Sequence, residues 1–144
     1  MRVAAVILCC SVFACIEALP SIGTTQSAAV RGVLECNGKP SVGTKVKLYD
    51  VDRGVDLDDL MDEGVTDSDG RFELRGHETE LTSIDPKVNI YHDCNDETVP
   101  CLKKIAIVIP DEYITDGEIP KKTFDVGKLN LAGTFSGESR DCFN

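Results

Sequence analysis

IDPKVNIYHDCNDETVPCLKKIAIVIP, residues 84–110, decides the fold. Val88, Ile90 and His92 share one parity; Ile105, Ile107 and Ile109 share another. Alternation at period two places each set on one face of a strand. Pro86 opens the first strand and Pro110 closes the second, where a missing N–H costs least. Between them runs a polar connection bracketed by Cys94 and Cys101, which a hairpin would bring close together.

Similar patterns extend outward on both sides. Residues 28–36 read as a first strand, with Val30, Leu34 and Cys36 on one parity. Asn37-Gly38-Lys39-Pro40 then turns the chain, because Gly permits positive φ and Pro fixes its own. Residues 44–50 alternate cleanly, Val46 and Leu48 one way and Lys45, Lys47 and Tyr49 the other. Residues 50–63 form a long acidic connection in which Leu57, Leu60 and Met61 have the spacing of one helical turn. Residues 64–67 and 71–75 read as a hairpin around Asp67-Ser68-Asp69-Gly70, with Phe72 and Leu74 facing inward. Residues 76–85 read as a loop with a weak helical turn at 78–83. Beyond the central pair, residues 111–122 form a polar connection and residues 124–131 a last strand. Phe124 and Val126 lie on one parity there, Leu129 and Leu131 on the other. That switch predicts a bulge near Gly127. Seven or eight short strands without a long helix indicate an all-β, two-sheet antiparallel sandwich.

The N-terminus reads as an address. Met1-Arg2 is followed by an almost unbroken apolar run, Val3 to Ala14, too short to span a bilayer and of secretory length. Cleavage is expected after Ala18. The layout is then a signal peptide at 1–18, a linker at 19–27 and one domain at 28–144. The mature chain keeps the net charge of −10, because Arg2 and Glu17 cancel. Such a charge excludes nucleic acid and simple attraction to anionic membranes. No second apolar run follows, so no integral membrane protein is expected.

Cys9, Cys10 and Cys15 leave with the signal peptide, and Cys36, Cys94, Cys101 and Cys142 remain. An even count in a secreted chain reads as two disulfides, with three connectivities open. The local-hairpin reading favours Cys94–Cys101, leaving Cys36–Cys142.

Candidate chemistry is sparse. Asp67-Ser68-Asp69-Gly70 resembles part of a calcium loop, but Val65 stands where an acid is needed and Gly76 occupies the twelfth position. His92 and Cys94 fit no common zinc spacing. His92, on the apolar parity of its strand, reads as a core histidine held by hydrogen bonds. Gly133-Thr-Phe-Ser136-Gly137 is not a nucleophile elbow, since the serine is one place late. No catalytic residue, metal ligand or cofactor is therefore expected. Lys103-Lys104 and Lys121-Lys122 read as solvated strand ends. Exposed loops carry contacts on such scaffolds. The charged loops single out Asp56, Asp58, Asp59, Asp96 and Glu97 as partner-binding residues.

The chain resembles the nematode transthyretin-like family of secreted proteins. The blocks that carry the resemblance are VRGVLECNGKP (30–40), VKLYDVDRGVDLDDLMDEG (46–64), DSDGRFELRG (67–76), IDPKVNIYHDCND (84–96), PCLKKIAIVIPDEYI (100–114) and FDVGKLNL (124–131). It implies a prealbumin-type sandwich and secretion. Better-known proteins of that fold include a thyroid-hormone carrier and a hydrolase of 5-hydroxyisourate. The hydrolase ends in Tyr-Arg-Gly-Ser, whereas this chain ends Arg140-Asp-Cys-Phe-Asn144.

The expectation is a non-enzymatic extracellular module that binds a protein or lipid partner at the cell surface through its loops. A carrier of a small apolar ligand, in a pocket or in the channel of a homo-oligomer, is the alternative. A hydrolase is a distant third.

Overall fold

A computed structural model describes residues 22–54 and 57–144. The expected signal peptide lies outside the described residues. Among the described residues ten strands follow in order. They are β1 (Thr24–Cys36), β2 (Lys39–Pro40), β3 (Lys45–Asp50), β4 (Asp59–Val65), β5 (Arg71–Glu80), β6 (Pro86–His92), β7 (Leu102–Val108), β8 (Thr115–Asp116), β9 (Phe124–Asn130) and β10 (Ser139–Asp141). A 3₁₀ turn, Asp111–Tyr113, precedes β8. Omitting the three strands of two or three residues leaves seven, in keeping with the alternation of the sequence.

The strands form two sheets. In sheet A, β1 is the hub: it pairs with β5 on one side, β9 on the other, and β2 and β8 near its ends. Sheet B runs β10-β7-β6-β3-β4. Every pairing is antiparallel except β1 with β9. That parallel pair reflects the return of the chain across the end of the sandwich by way of the 3₁₀ turn and β8. The expected bulge is present: the β1–β9 register slips between Arg31 and Val33, opposite Gly127, whose φ of 74° suits glycine.

The inward parities match the sequence reading. Val46 and Leu48 of β3, Val88 and Ile90 of β6, and Ile105 of β7 are nearly inaccessible. From sheet A they meet Val30, Leu34, Phe72 and Leu74. Within sheet B, Ile90 stands opposite both Val46 and Ile105. Each such side chain contributes about 1.5–3 kcal/mol on burial. The core is thus packed from both sheets by residues whose period-two spacing was visible in the chain.

Two local expectations are corrected. The acidic stretch contains no helical turn at Leu57–Met61; it enters β4 at Asp59 and pairs with β3. The weak turn at 78–83 is likewise absent, because β5 continues to Glu80 against Thr24 of β1. In both places pairing with a neighbouring strand satisfies the backbone, and this outweighs a short-range helical spacing. For the same reason β1 begins at Thr24, inside the stretch read as linker.

The disulfide pairing is also corrected. Cys36 bonds to Cys94 and Cys101 to Cys142, not Cys94 to Cys101 and Cys36 to Cys142. Cys94 keeps the inward parity of His92 and is 6% exposed, so it faces the other sheet, where β1 ends in Cys36. Cys101 has a φ of 67° and stands just ahead of β7. Pairing of Leu102 with Asp141 of β10 then sets Cys142 opposite Cys101, with 4.4 Å between Cα atoms. The local-hairpin reading failed because the β6–β7 ladder ends at the His92–Lys103 pair, and beyond it Cys94 turns into the sandwich toward Cys36 while Cys101 takes a left-handed backbone.

Candidate functional site

The acidic loop builds a cleft at one end of the sandwich. β3 arrives there with Asp50, and β6 departs from Pro86 after the loop that follows β5. Val51 N–H donates to Asp85 O at 3.1 Å, holding the two loops side by side. Asp50 is 3% exposed, and its Oδ1 accepts the Asp85 N–H at 2.6 Å. Burial pushes the Asp50 carboxyl upward; the bond from Asp85 opposes this, and the charges of Asp52, Asp85 and Asp59 add to it. Arg53 forks onto Asp85 with two bonds of 2.7 Å, which hold its guanidinium above the usual range.

Across the cleft, carboxylate oxygens of Asp52, Asp59 and Glu80 lie within 4.8 Å of one another. The Glu80 carboxyl is pushed up by desolvation and then by the charges of Asp50, Asp52 and Asp59. The cleft measures about 390 Å³ and is lined by Asp50 to Gly54 on one side and by Glu80, Thr82, Ser83 and Asp85 on the other. A concave surface with this density of carboxylates attracts lysine or arginine side chains, or a hard cation.

The residues singled out in the sequence do not form one site. Asp59 stands at the edge of this cleft, its carboxylate grouped with those of Asp52 and Glu80. Asp58 lies beside it but is tied to Lys87 of β6, with 2.5 Å between Oδ2 and Nζ. Asp56 lies outside the described residues. Asp96 and Glu97 are at the other end of β6, about 20 Å away by strand length. Asp96 is consumed internally: Arg140 grips it with bonds of 2.6 and 2.9 Å and also donates to Cys101 O. Arg140 thereby holds the Asp96 carboxyl below the usual range. Glu97 is exposed and lines a shallow cleft beside the Cys101–Cys142 bond.

Asp50, Asp52, Glu80 and Asp85 were not singled out. Their signal was the acidity of two segments thirty residues apart, which only the pairing of β3 with β6 brings together.

His92 is buried at 4% exposure, as expected of a core histidine. Its Nδ1 accepts the Cys94 N–H at 3.2 Å. The Asp67 turn serves the β4–β5 hairpin: its Oδ1 accepts N–H groups of Asp69 and Arg71, both at 2.9 Å. The outer face of sheet A carries a further groove. Its rim is charged rather than apolar, with Arg31 and Asp125 paired at 3.0 Å and Arg71, Glu73 and Asp67 nearby.

Comparison with known proteins gives a consistent picture. The family model described as "TTR-52: Transthyretin-like family" matches residues 31–110. Transthyretin-like protein 5 of Caenorhabditis elegans is 59% identical over 123 residues, covering 85% of this chain and 88% of the relative. Transthyretin-like protein 33 of the same organism is 53% identical over 83% of this chain and 84% of its own. Among solved structures, (S)-allantoin synthase aligns with a TM-score of 0.48 and 17% identity, over 83% of this chain and 45% of that one. Among the described residues no helix is long and apolar enough to cross a membrane. On the family model over residues 31–110 and relatives 59% and 53% identical over most of its length, the chain belongs to the transthyretin-like family.

Proposed function

We propose that this chain is a secreted, non-enzymatic binding module whose acidic cleft receives basic side chains of an extracellular or cell-surface protein. The observation that carries this reading is the convergence of Asp50, Asp52, Glu80 and Asp85 on one concave end, with the Asp59 carboxylate beside those of Asp52 and Glu80. Desolvation first and neighbouring carboxylates second raise the Asp50 and Glu80 carboxyls, so a cationic partner lowers the cost of keeping them charged. The apolar run at Val3–Ala14 and the pairing of four cysteines support an oxidising, extracellular setting. His92 is enclosed in the core and does not reach the surface, so it takes no part in the cleft.

Labelled protein applied to dissociated cells of Caenorhabditis elegans, the source of the relatives, tests the proposal. Saturable surface binding is expected, displaced by unlabelled protein and weakened by salt. The Asp59→Asn/Glu80→Gln double variant is expected to bind about tenfold less at unchanged melting temperature. Equal binding of the variant, or binding lost on removing cell-surface lipid rather than protein, would overturn it.

A further inference from the structure

Asn37 and Gly38 make the turn between Cys36 and Lys39, which pair across the β1–β2 hairpin. Both have positive φ, 54° and 78°, as a two-residue type I′ turn requires. Both are exposed, and a Cβ on Gly38 would meet nothing within 4 Å, so no neighbouring side chain shields its backbone nitrogen. An asparagine followed by glycine is the arrangement in which a backbone nitrogen most easily attacks the preceding carboxamide, because glycine hinders the approach least. Asn37-Gly38 is the only such pair in the chain.

The fold restrains this carboxamide. Asn37 Nδ2 donates to Asn95 Oδ1 at 2.7 Å, and Asn95 Nδ2 donates to Asn37 Oδ1 at 3.1 Å. Both polar atoms of the Asn37 side chain are thereby held toward Asn95, across the seam between the sheets and beside the Cys36–Cys94 bond. Asn95 meets Asn37 from a left-handed backbone of its own, φ 57°, in the connection that follows β6. A lone hydrogen bond between exposed side chains is weak in net terms. Here the neighbouring disulfide already holds the two partners in place, so the pair forms with little further loss of chain entropy.

We infer that Asn37 is a modification site, a carboxamide that converts spontaneously to aspartate and isoaspartate at a rate set by its pairing with Asn95. Once the pair opens, the side chain turns onto the following amide. Gly38 N forms a bond to Asn37 Cγ and gives up its proton to water. The Cγ–Nδ2 bond breaks, and Nδ2 takes a proton from solvent and leaves as ammonia. Water then opens the succinimide ring, at Cγ to give isoaspartate's isomer aspartate, or at the main-chain carbonyl to give isoaspartate. Overall one water enters and one ammonia leaves, with no change of oxidation state. Either product adds a negative charge to a chain already at −10 and removes the donor to Asn95. Isoaspartate also lengthens the main chain inside a turn built for two residues. Modification therefore loosens the seam between the sheets, and the turn acts as a clock on the age of the folded protein. The site lies at the opposite end of β6 from the acidic cleft and does not depend on it.

The test is peptide mapping by mass spectrometry after incubation of the disulfide-bonded mature protein in warm, mildly alkaline buffer made with heavy-oxygen water. The peptide containing Asn37 is expected to take up the label as it loses ammonia. Asn95→Gly accepts the left-handed backbone but removes both hydrogen bonds, and should convert about tenfold faster than the wild type. Asn95→Asp keeps the acceptor, loses the donor and should fall between. Val88→Ala, which weakens the core toward the other end of β6, should convert at the wild-type rate. This separates a restraint at Asn37 from general loosening of the fold. The converted fraction of the wild type should melt earlier than fresh protein. Equal rates for Asn95→Gly and the wild type, no conversion at Asn37 in either, or an acceleration by Val88→Ala as large as that by Asn95→Gly would overturn the inference.

Discussion

Cys36 ends β1 in sheet A, and Cys94 follows β6 in sheet B; the bond between them, with 5.8 Å between Cα atoms, ties one sheet to the other. Beside it the carboxamides of Asn37 and Asn95 exchange two hydrogen bonds of 2.7 and 3.1 Å. The second cystine, Cys101–Cys142, works within sheet B and anchors β10 and the C-terminal tail to β7.

The two bonds span 58 and 41 residues. Chain-entropy arguments give about 4 kcal/mol for each. Cys36→Ala/Cys94→Ala is expected to lower global stability by that order in urea unfolding. Cys101→Ala/Cys142→Ala should additionally raise hydrogen exchange in the tail and in Leu102–Ile105, while Val46–Leu48 stays protected until global unfolding. Uniform loss of protection in both variants would refute this division.

Gly70 and Gly43 both have positive φ, 75° and 70°, but their surroundings differ. A Cβ on Gly70 would collide with the Leu34 carbonyl oxygen, whereas one on Gly43 would meet nothing within 4 Å. The Leu34 carbonyl already accepts the Ser41 N–H and is not free to move. Gly43→Ala is expected to cost about 1 kcal/mol, the left-handed penalty alone. Gly70→Ala is expected to cost roughly 3 kcal/mol or more. Equal melting temperatures for the two variants would contradict this account.

His92 carries the pH dependence above the carboxylate range. Burial is the main cause of its lowered pKa, aided by Lys103 and opposed by the charges of Glu138, Asp93 and Asp96. A depressed histidine pKa means that the neutral ring is favoured in the folded state. Its contribution is present above the unfolded value of 6.5 and is lost as pH falls through the folded value. The urea midpoint should therefore drop between about pH 7.5 and about pH 5.5, and less so in His92→Gln. An NMR titration of the His92 ring with a midpoint above 6.5 would reverse the sign.

Asp50 shows the opposite linkage. Its pKa is raised, mainly by burial, so its favourable contribution exists at low pH and is lost as pH rises through the folded value. Asp50→Asn retains an oxygen for the Asp85 N–H and removes one charge from the cleft. The variant is expected to be more stable than the wild type at neutral pH by about 1 kcal/mol, with the advantage vanishing near pH 4. Destabilisation at neutral pH would show that the carboxylate charge itself holds the 51–54 and 81–85 loops together.

Within this molecule the legible features are those written in neighbouring residues. The inward set Val46, Leu48, Val88, Ile90 and Ile105, the turn at Asp67–Gly70 and the bulge at Gly127 all follow from period-two alternation and backbone preference. Burial of one face of a sheet fixes the register of such patterns, so the fold class followed from the sequence alone. So did the even cysteine count and the family blocks.

Tertiary structure decided what depends on strands distant in sequence. β3 had to recruit residues 59–65 before the acidic stretch could become a strand, and β10 had to dock on β7 before Cys142 could find Cys101. The acidic cleft exists because β3 and β6 bring Asp50 beside Asp85, and Asn37 meets Asn95 because the ends of β1 and β6 come together across the two sheets. Local spacing specifies which way a side chain points. Which residue it meets is set by long-range pairing, whose loop-closure entropy is recovered only once the whole sandwich has formed.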